Sequence, residues 1–382
     1  MKIINDNNDH LKTHRYGWTK IMAELCEKVT KDNILLVDFM DRYFNSWYEE
    51  DKIISCNNNI YQFKNNDSYY HYRDDNKSDV FVYSDELNNK HFIKWFPNYN
   101  EFKLLRGERF SNFIKKYKPE VLYSKWIGFL HYPEFLSEMN FQSGEELKNI
   151  INTQIFKESV KNCMFIIVLS NTLKIYCDKL LLENNINIDV KVLLHPTEFN
   201  CKKFTYAKFI KNKRKKIIQI GFWLRKIDTI FKIKTKYEKL WLPGGHQWKD
   251  MLSKIYKNKF SEYLNDDMVK IELNVSNDTY DKLLEENIVL INVFNSSANN
   301  TILECISRNT PIIASKHSAI IEYLGENYPF YFETEDELNN IINSPIFDEM
   351  VLNATNYLKN MNKKQFYVSS FINQFKKIIK II

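Results

Sequence analysis

Residues 288–332 read IVLINVFNSSANNTILECISRNTPIIASKHSAIIEYLGENYPFYF. Apolar runs alternate with polar segments in this stretch, which predicts a strand, a polar turn, a short helix, a second strand, a second helix and a last short strand. The polar turn Asn295–Thr301 falls where a strand ends and a helix begins. Ligands bind at such places in an open α/β sheet, outside the carboxyl ends of the strands.

The helix that follows this turn predicts a site for a phosphate or a sugar hydroxyl. Its first N–H groups have no partner within the helix, and its dipole has the positive end there. Asn299, Asn300 and Thr301 can supply backbone donors, or they can form an ordinary polar turn with a helix cap. Glu304 follows one turn later and can point to the same ligand. It can also close a capping box with Thr301, so two uses compete for one carboxylate.

The composition is that of a globular protein with two domains. The chain has 382 residues, and its 44% of hydrophobic residues suffice for two cores. The net charge of +6 is mild, whereas dedicated nucleic-acid binders concentrate more positive charge on one face. We therefore expect no specific nucleic-acid partner. The basic run Lys211–Lys216 is interpreted as a solvated segment ahead of a strand, with a phosphate-binding patch as the alternative.

Cysteine usage and the N-terminus predict a cytoplasmic protein. The six cysteines form no CxxC pair and no metal-ligand spacing, so they are interpreted as reduced thiols. No DxD motif is present, and we expect neither a metal site nor a cofactor. The polar start predicts no signal peptide, and no apolar run reaches the roughly 18 residues needed to cross a membrane. The oligomeric state cannot be predicted from these features.

The rest of the chain alternates strands with helices, which is typical of a parallel sheet with helices on both faces. Apolar runs in the first half predict strands near 33–38, 79–84, 126–131, 162–170 and 190–196. Helices are predicted over 21–29, over 106–118 and after Ser170, and either Ser170 or Asn171 can cap the third of them. The second half repeats the pattern, with strands near 216–221, 239–243 and 268–273, a helix near 280–284 and C-terminal helices from Glu335. The domain boundary is predicted within 197–214.

Residues Leu303–Ala314, followed by Glu322-Tyr323-Leu324-Gly325, resemble the donor-site block of the GT4-type (group 1) glycosyltransferases of GT-B fold. In that family a Glu on a helix precedes a strand that begins with a small residue and Pro, and a second Glu begins the next turn. The segment Ile167–Ser170 and the strand that ends at His195-Pro196 resemble the last strands of the acceptor domain, and Gly17-Trp18 resembles its loop. The resemblance implies an α/β protein with two Rossmann-like, doubly wound parallel-sheet domains that face each other across a cleft.

The family further implies a metal-independent glycosyltransferase that moves a sugar from a nucleotide-sugar donor to an acceptor hydroxyl. Residues 1–200 would form the acceptor-side domain. Residues 201–382 would bind the nucleotide-sugar and end in helices that can pack back on the first domain. The implied partners are a UDP- or GDP-sugar and a glycan or another hydroxyl acceptor.

Glu304 matches the family's glutamate that holds the nucleotide ribose hydroxyls. The family pattern E-x7-E would place another glutamate at Ser296, where it would contact the sugar. This difference opens the alternative of a catalytically inactive sugar- or nucleotide-binding protein of the same fold. A sugar-nucleotide epimerase is the third hypothesis.

Arg225 and Lys226 follow the first strand of the second half and resemble the family's basic pair. They are predicted to bind the donor and to stabilise the charge that develops on the leaving diphosphate. The alternative is an exposed pair at a helix start. Gly17 and Gly221 are predicted to lie at the donor.

His131 ends a strand of the first half and is the remaining catalytic candidate. It could act as a base on the acceptor hydroxyl, or offer its backbone carbonyl near the anomeric carbon. The alternative is a structural histidine, and for His195 a structural role at a strand end is the favoured interpretation.

Overall fold

A computed structural model of the chain describes residues 2–4, 18–29, 34–44, 69–73, 79–84, 90–94, 120–136, 146–244, 253, 268–273 and 275–380. Its strands, in chain order, are β1 (Lys2–Ile4), β2 (Ile34–Val37), β3 (Tyr69–Arg73), β4 (Asp79–Ser84), β5 (Lys90–Lys94), β6 (Lys125–Leu130), β7 (Cys163–Val168), β8 (Val190–Val192), β9 (Lys216–Ile220), β10 (Glu238–Leu242), β11 (Val269–Ile271), β12 (Ile288–Ile291), β13 (Ile312–Ser315) and β14 (Tyr331–Phe332).

The α-helices of the described residues range from a single turn to 14 residues. They are α1 (Trp18–Lys28), α2 (Met40–Tyr43), α3 (Leu147–Ile150), α4 (Gln154–Ser159), α5 (Asn171–Glu183), α6 (Tyr206–Lys211), α7 (Asp228–Lys232), α8 (Asn277–Glu286), α9 (Asn300–Arg308), α10 (Ser318–Leu324), α11 (Glu335–Ile342), α12 (Phe347–Asn360) and α13 (Val368–Lys380). Short 3₁₀ turns occupy Glu120–Leu122, Val160–Asn162 and Lys364–Phe366.

The first sheet has five strands in the order β1-β2-β6-β7-β8. Strand β2 pairs in parallel with both β1 and β6. All four residues of β2 are buried, as expected for a parallel strand that is covered on both faces. The strands predicted near 33–38, 126–131, 162–170 and 190–196 are therefore confirmed as members of one sheet.

The segment Asp79–Ser84 belongs to a different sheet. It is a strand, as predicted, but it pairs antiparallel with β3 and with β5. The prediction that it joins the parallel sheet is wrong. Alternation of strand and helix does not distinguish a strand of the main sheet from a strand of an inserted hairpin. The helix predicted over 106–118 lies outside the described residues.

The second sheet has six strands in the order β11-β10-β9-β12-β13-β14, and its pairings are parallel throughout. The chain starts in the middle with β9, moves outward to β11, returns to β12 beside β9 and ends at β14. This is the doubly wound order, and the strand order reverses between β9 and β12. A ligand is expected at that switch point, outside the carboxyl ends of the two strands.

The stretch 288–332 folds as predicted into β12, α9, β13, α10 and β14. Strand β12 is entirely buried, and α9 contributes Ile302, Leu303 and Ile306 to the same core. The C-terminal helices are confirmed as α11, α12 and α13, whereas α6 falls in the segment 197–214 for which no helix was predicted.

Two compact units result from the packing. One combines Met1–Asp6, Lys31–Leu130 and Gly144–Ile166, and the other combines Asn7–Thr30, His131–Ser143 and Ile167–Ile382. The candidate site lies wholly in the second unit. The domain boundary near residue 200 stays a prediction. Within the described residues, no helix is both long enough and apolar enough to cross a membrane.

Candidate functional site

A short connection follows β9 at the switch point of the second sheet. Gly221, directly after the strand, has a φ of +79°, which a residue with a side chain rarely adopts. Arg225 then forms an isolated antiparallel bridge with Val293, and the Lys226 amide donates to the Asn292 carbonyl at 2.8 Å. Arg225 and Lys226 therefore lie where β9 and β12 end.

Arg225 is half-buried rather than an exposed residue at a helix start. Its Nη1 donates to the Trp223 carbonyl at 2.8 Å and its Nη2 to Asn299 Oδ1 at 3.2 Å. A Cβ built on Gly221 would lie 3.6 Å from Nη2, so the guanidinium rests against the end of β9. Its Nε is buried without a partner among the described residues. Burial lowers the pKa of Arg225 to about 10, so the side chain is still charged at neutral pH.

Asn299 links this arginine to helix α9. It is the N-cap residue, and its Oδ1 accepts from the Ile302 amide at 3.3 Å as well as from Arg225. The capping box considered for Thr301 and Glu304 is therefore wrong, because the helix begins two residues earlier than that box requires. Asn300 is exposed and Thr301 is buried in the first turn.

Glu304 lies one turn into α9 and accepts a hydrogen bond from the hydroxyl of Tyr280 in α8. Burial and the neighbouring carboxylate raise the pKa of Tyr280 well above its ordinary value. Tyr280 also contributes to the electrostatics of Arg225 and acts to raise its pKa, against the larger effect of burial. Gly221, Arg225, Tyr280, Asn299 and Glu304 thus form one group, which we call the Arg225 cluster.

A pocket of about 200 Å³ opens beside the loop that connects β12 to α9. Its apolar lining is formed by Pro133 and Leu136, after β6, and by Leu173 and Tyr176 of α5. Its polar lining is formed by Glu134 and Thr172 and by a set that we call the polar wall, namely Asn295 and Ser296 of the loop and His317 and Ser318 at the start of α10. A pocket that combines apolar surface with hydrogen-bonding groups suits a sugar ring.

Main-chain contacts fix the polar wall. Asn295 Nδ2 donates to the Glu134 carbonyl at 2.7 Å, and its Oδ1 accepts from the Ser296 amide at 2.7 Å. His317 caps α10, because its Nδ1 accepts from the Ala319 amide at 3.2 Å. That bond requires the proton on Nε2. Burial, and next the charge of Lys226, lower the pKa of His317, so the neutral ring is favoured.

Lys226 lies beside Phe294, in the segment after β12. Its Nζ lies 5.6 Å from the centre of the Phe294 ring, and its charge acts to lower the pKa of His317. The two consecutive basic residues therefore have different neighbours, since Arg225 bonds to Asn299.

Helices α5 and α10 are joined behind the pocket. Both carboxylate oxygens of Glu322 accept from the Asn171 amide at 2.8 Å, and Oε1 also accepts from Asn171 Nδ2 at 2.7 Å. The Tyr323 hydroxyl donates to the Leu169 carbonyl at 2.6 Å and accepts from the His195 amide at 3.0 Å. Glu322 therefore binds the start of α5, and Ser170 caps that helix as predicted.

His131 packs against Trp18, with its ring edge-on at 4.7 Å between centroids. It follows β6 directly and lies two residues before the pocket wall at Pro133. Gly17, which precedes Trp18, lies outside the described residues. His195 is buried, its Nδ1 donates to the Pro196 carbonyl at 2.7 Å, and burial lowers its pKa to about 4, which fits a structural role.

Two contributors to the site could not be predicted from the sequence. Tyr280 lies 24 residues before Glu304, and only the packing of α8 on α9 brings them together. His317 directly precedes α10, and its position as a possible N-cap was the one feature of the sequence that could have drawn attention to it. Among the described residues, no group of three or more His, Cys, Asp or Glu side chains is arranged to hold a metal ion.

Comparisons with known proteins show the fold. No protein-family model and no curated protein sequence matches the chain. The crystal structure of Anabaena HepE in complex with UDP and glucose superimposes with a TM-score of 0.52 at 14% identity, over 73% of this chain and 76% of that one. HepE in complex with UDP gives 0.51 at 13% identity, over 74% and 90%. The pneumococcal O-GlcNAc transferase GtfA gives 0.49 at 9% identity, over 82% and 69%. The predicted fold class, two parallel-sheet α/β domains, is confirmed.

Proposed function

We propose that this chain is a glycosyltransferase of the GT-B, GT4-like type that moves a sugar from a nucleotide-sugar to an acceptor hydroxyl. The observation that carries the proposal is the Arg225 cluster. It combines a partly desolvated cation, a helix N-terminus and a carboxylate at the switch point of a doubly wound sheet. In a nucleoside diphosphate, the cation and the helix N-terminus suit the phosphates, and the carboxylate suits the ribose hydroxyls.

The two parts of the site divide the donor between them. Arg225 and the N-terminus of α9 would bind the diphosphate, and Glu304 would accept hydrogen bonds from the ribose hydroxyls. The pocket beside Ser296 would receive the transferred sugar, with its apolar face against Leu173 and Tyr176. The crystal structure of HepE, which has a similar fold, contains UDP and glucose, and this supports a nucleotide-sugar as the donor.

Transfer would proceed without a metal ion. The acceptor oxygen bonds to the anomeric carbon while the bond from that carbon to the diphosphate oxygen breaks, and the nucleoside diphosphate leaves with the electron pair. Arg225 and Lys226 would stabilise the negative charge that develops on the leaving group. His131 is the proposed base for the acceptor proton. Activity is therefore expected to be unchanged by EDTA.

Titration calorimetry with UDP, GDP, UDP-glucose and GDP-mannose, together with an assay of donor hydrolysis, tests the proposal. We expect one nucleotide to bind, and Glu304→Ala to weaken its binding by about tenfold or more, because a hydrogen bond to a charged group is lost. The matched control is Glu326→Ala, since Glu326 is an exposed carboxylate in the turn after α10. If the wild-type protein binds none of these ligands at millimolar concentration, the proposal is refuted.

Ser296 favours a second candidate function, that of a sugar- or nucleotide-binding protein of the same fold without catalysis. The resemblance places a glutamate at this position, and Ser296 provides no carboxylate. Binding without hydrolysis or transfer of any donor would support this candidate, whereas turnover of a single donor would exclude it.

A further inference from the structure

Tyr280 is the member of the Arg225 cluster that neither the sequence nor the resemblance assigned to the site. It lies in the first turn of α8, whose N-cap Ser276 accepts from the Thr279 amide at 3.2 Å. Its ring packs against the main hydrophobic core and against a second buried cluster on β9 and β10, formed by Ile218, Leu240 and Leu242. The ring is thus held by packing, and its hydroxyl is delivered to Glu304.

The helix that carries Tyr280 is fixed on the helix that carries Glu304. Arg308 of α9 forms a buried ion pair with Asp281 of α8, at 3.1 Å. Thr310 Oγ1, just after α9, donates to the Leu284 carbonyl at 2.7 Å. These contacts set the distance between the two helices independently of the bond from Tyr280 to Glu304. Removal of the Tyr280 phenol oxygen should therefore take one hydrogen bond away from the Glu304 carboxylate without moving the two helices.

The bond from Tyr280 involves one oxygen of the Glu304 carboxylate. An ionised carboxylate can accept about four hydrogen bonds, and Tyr280 uses one of them, on Oε2. The raised pKa of Tyr280 keeps the phenol protonated, so it acts as a donor at every pH at which the protein would be assayed. A fixed donor on one oxygen orients the carboxylate plane, and a correctly oriented carboxylate can accept from the two adjacent hydroxyls of a ribose.

We propose that Tyr280 is the positioning residue that fixes Glu304 for the 2′,3′-diol of a nucleotide and so gives the site its preference for a ribonucleotide. The inference rests on the proposed function, because it assumes that a nucleotide occupies the cluster. It adds a residue and a specificity that the proposed function does not contain.

The experiment compares UDP with 2′,3′-dideoxy-UDP on four proteins, namely the wild type, Tyr280→Phe, Glu304→Gln and the double variant. If GDP is the bound nucleotide, the guanosine pair replaces the uridine pair. Tyr280→Phe retains the ring and its packing, so folding is checked by thermal denaturation alone. Tyr328→Phe is the matched control, because the Tyr328 hydroxyl is also buried in this part of the molecule but bonds to the Ile312 backbone at 2.9 Å.

We expect Tyr280→Phe to weaken UDP about tenfold and dideoxy-UDP less than about twofold, since only the diol depends on the oriented carboxylate. The double variant should bind UDP no more weakly than Glu304→Gln, because Tyr280 acts through Glu304. In turnover, KM for the donor should rise with little change in kcat. Tyr328→Phe should lower thermal stability and leave the ratio of the two affinities unchanged.

The outcomes separate the two claims. A wild-type protein that binds no nucleotide removes both the proposed function and the inference. If the wild type binds UDP and the Tyr280→Phe variant keeps the same preference for UDP over dideoxy-UDP, the inference alone is refuted. Losses that add in the double variant would also remove it, because they would show that Tyr280 acts independently of Glu304.

Discussion

The Arg225 cluster and the pocket are neighbours, but they are built differently. In the cluster, side chains bond to one another, as Arg225 does with Asn299 and Tyr280 with Glu304, in addition to the main-chain bonds of Arg225 and Asn299. In the pocket, side chains are held by the main chain, as Asn295 is by the Glu134 carbonyl and His317 by the Ala319 amide. The two neighbouring basic residues follow this division, because Arg225 bonds to Asn299 and the charge of Lys226 acts on His317.

The difference teaches how specificity is distributed over the site. A side chain held by other side chains loses its position when one partner is truncated, so the cluster should depend strongly on each of its members. A wall held by the main chain keeps its shape when a side chain changes, so the pocket should respond to volume more than to single hydrogen bonds. Charge recognition and shape recognition are thereby assigned to separate parts of the site.

The largest effect is expected for Arg225→Gln. The substitution removes a half-buried cation and leaves the Asn299 cap of α9 in place, so the loss should be confined to anion binding. We expect UDP affinity to fall about 100-fold, as for a charge-assisted bond at a desolvated site, and uridine affinity to stay within about twofold. Titration calorimetry with both ligands measures the two changes.

Lys232→Gln is the control for this prediction. Lys232 belongs to the next helix and forms surface ion pairs with Asp228 and Glu335. If this substitution weakens UDP as much as Arg225→Gln does, the effect is one of net charge, and the special position of Arg225 is disproved.

The sequence predicted the second sheet well because its strands are buried on both faces. Ile288–Ile291 is a continuous apolar run, Lys216–Ile220 contains three isoleucines, and Pro311 and Gly325 mark ends that the structure confirms. The antiparallel hairpins around Asp79 were missed because local patterns do not specify which sheet a strand joins. That choice depends on contacts between distant residues.

The site was predicted in part, for a related reason. Arg225, Asn299 and Glu304 follow strand ends or helix starts, and such positions can be recognised along the chain. Tyr280 enters through the packing of α8 on α9, which leaves no periodic signal, and His317 enters as the N-cap of α10, a position that does not by itself indicate a ligand. The competing capping box for Glu304 failed because Asn299, two residues earlier, caps the helix.

A bulky residue in the pocket should weaken binding of the sugar part of the donor and leave binding of the nucleotide part unchanged. Thr172 lines the pocket at the start of α5, and a tryptophan there would occupy much of its 200 Å³. We expect Thr172→Trp to weaken UDP-glucose by roughly tenfold, because the sugar loses its contacts, and to leave UDP within about twofold. Competition titrations with the two ligands give both values.

Ile175→Trp provides the comparison on the same helix, since Ile175 is 71% exposed and is not one of the residues that line the pocket. This variant should bind both ligands as the wild type does. An equal loss of UDP and UDP-glucose in Thr172→Trp would show that the pocket and the cluster are not separable.

The smallest expected effect is a pH dependence that belongs to the pocket. Burial, and next Lys226, lower the pKa of His317 below its ordinary 6.5, so the folded protein favours the neutral ring. The stabilising bond from the Ala319 amide to Nδ1 is therefore fully present above pH 6.5. It is lost as the pH falls through the lowered pKa, when Nδ1 takes up a proton. We expect UDP-glucose affinity to fall about two- to fivefold over that range, as for the loss of one neutral hydrogen bond.

His317→Asn isolates this titration, because asparagine is a good N-cap residue and does not titrate. Glu134 also lines the pocket and Lys226 acts on His317, so the variant must be compared with the wild type at each pH. The ratio of their UDP-glucose affinities should change through the lowered pKa, while Arg225, with a pKa of about 10, stays charged throughout. A ratio that is constant with pH would show that His317 does not contact the sugar, and the polar wall would then act through Asn295 and Ser296 alone.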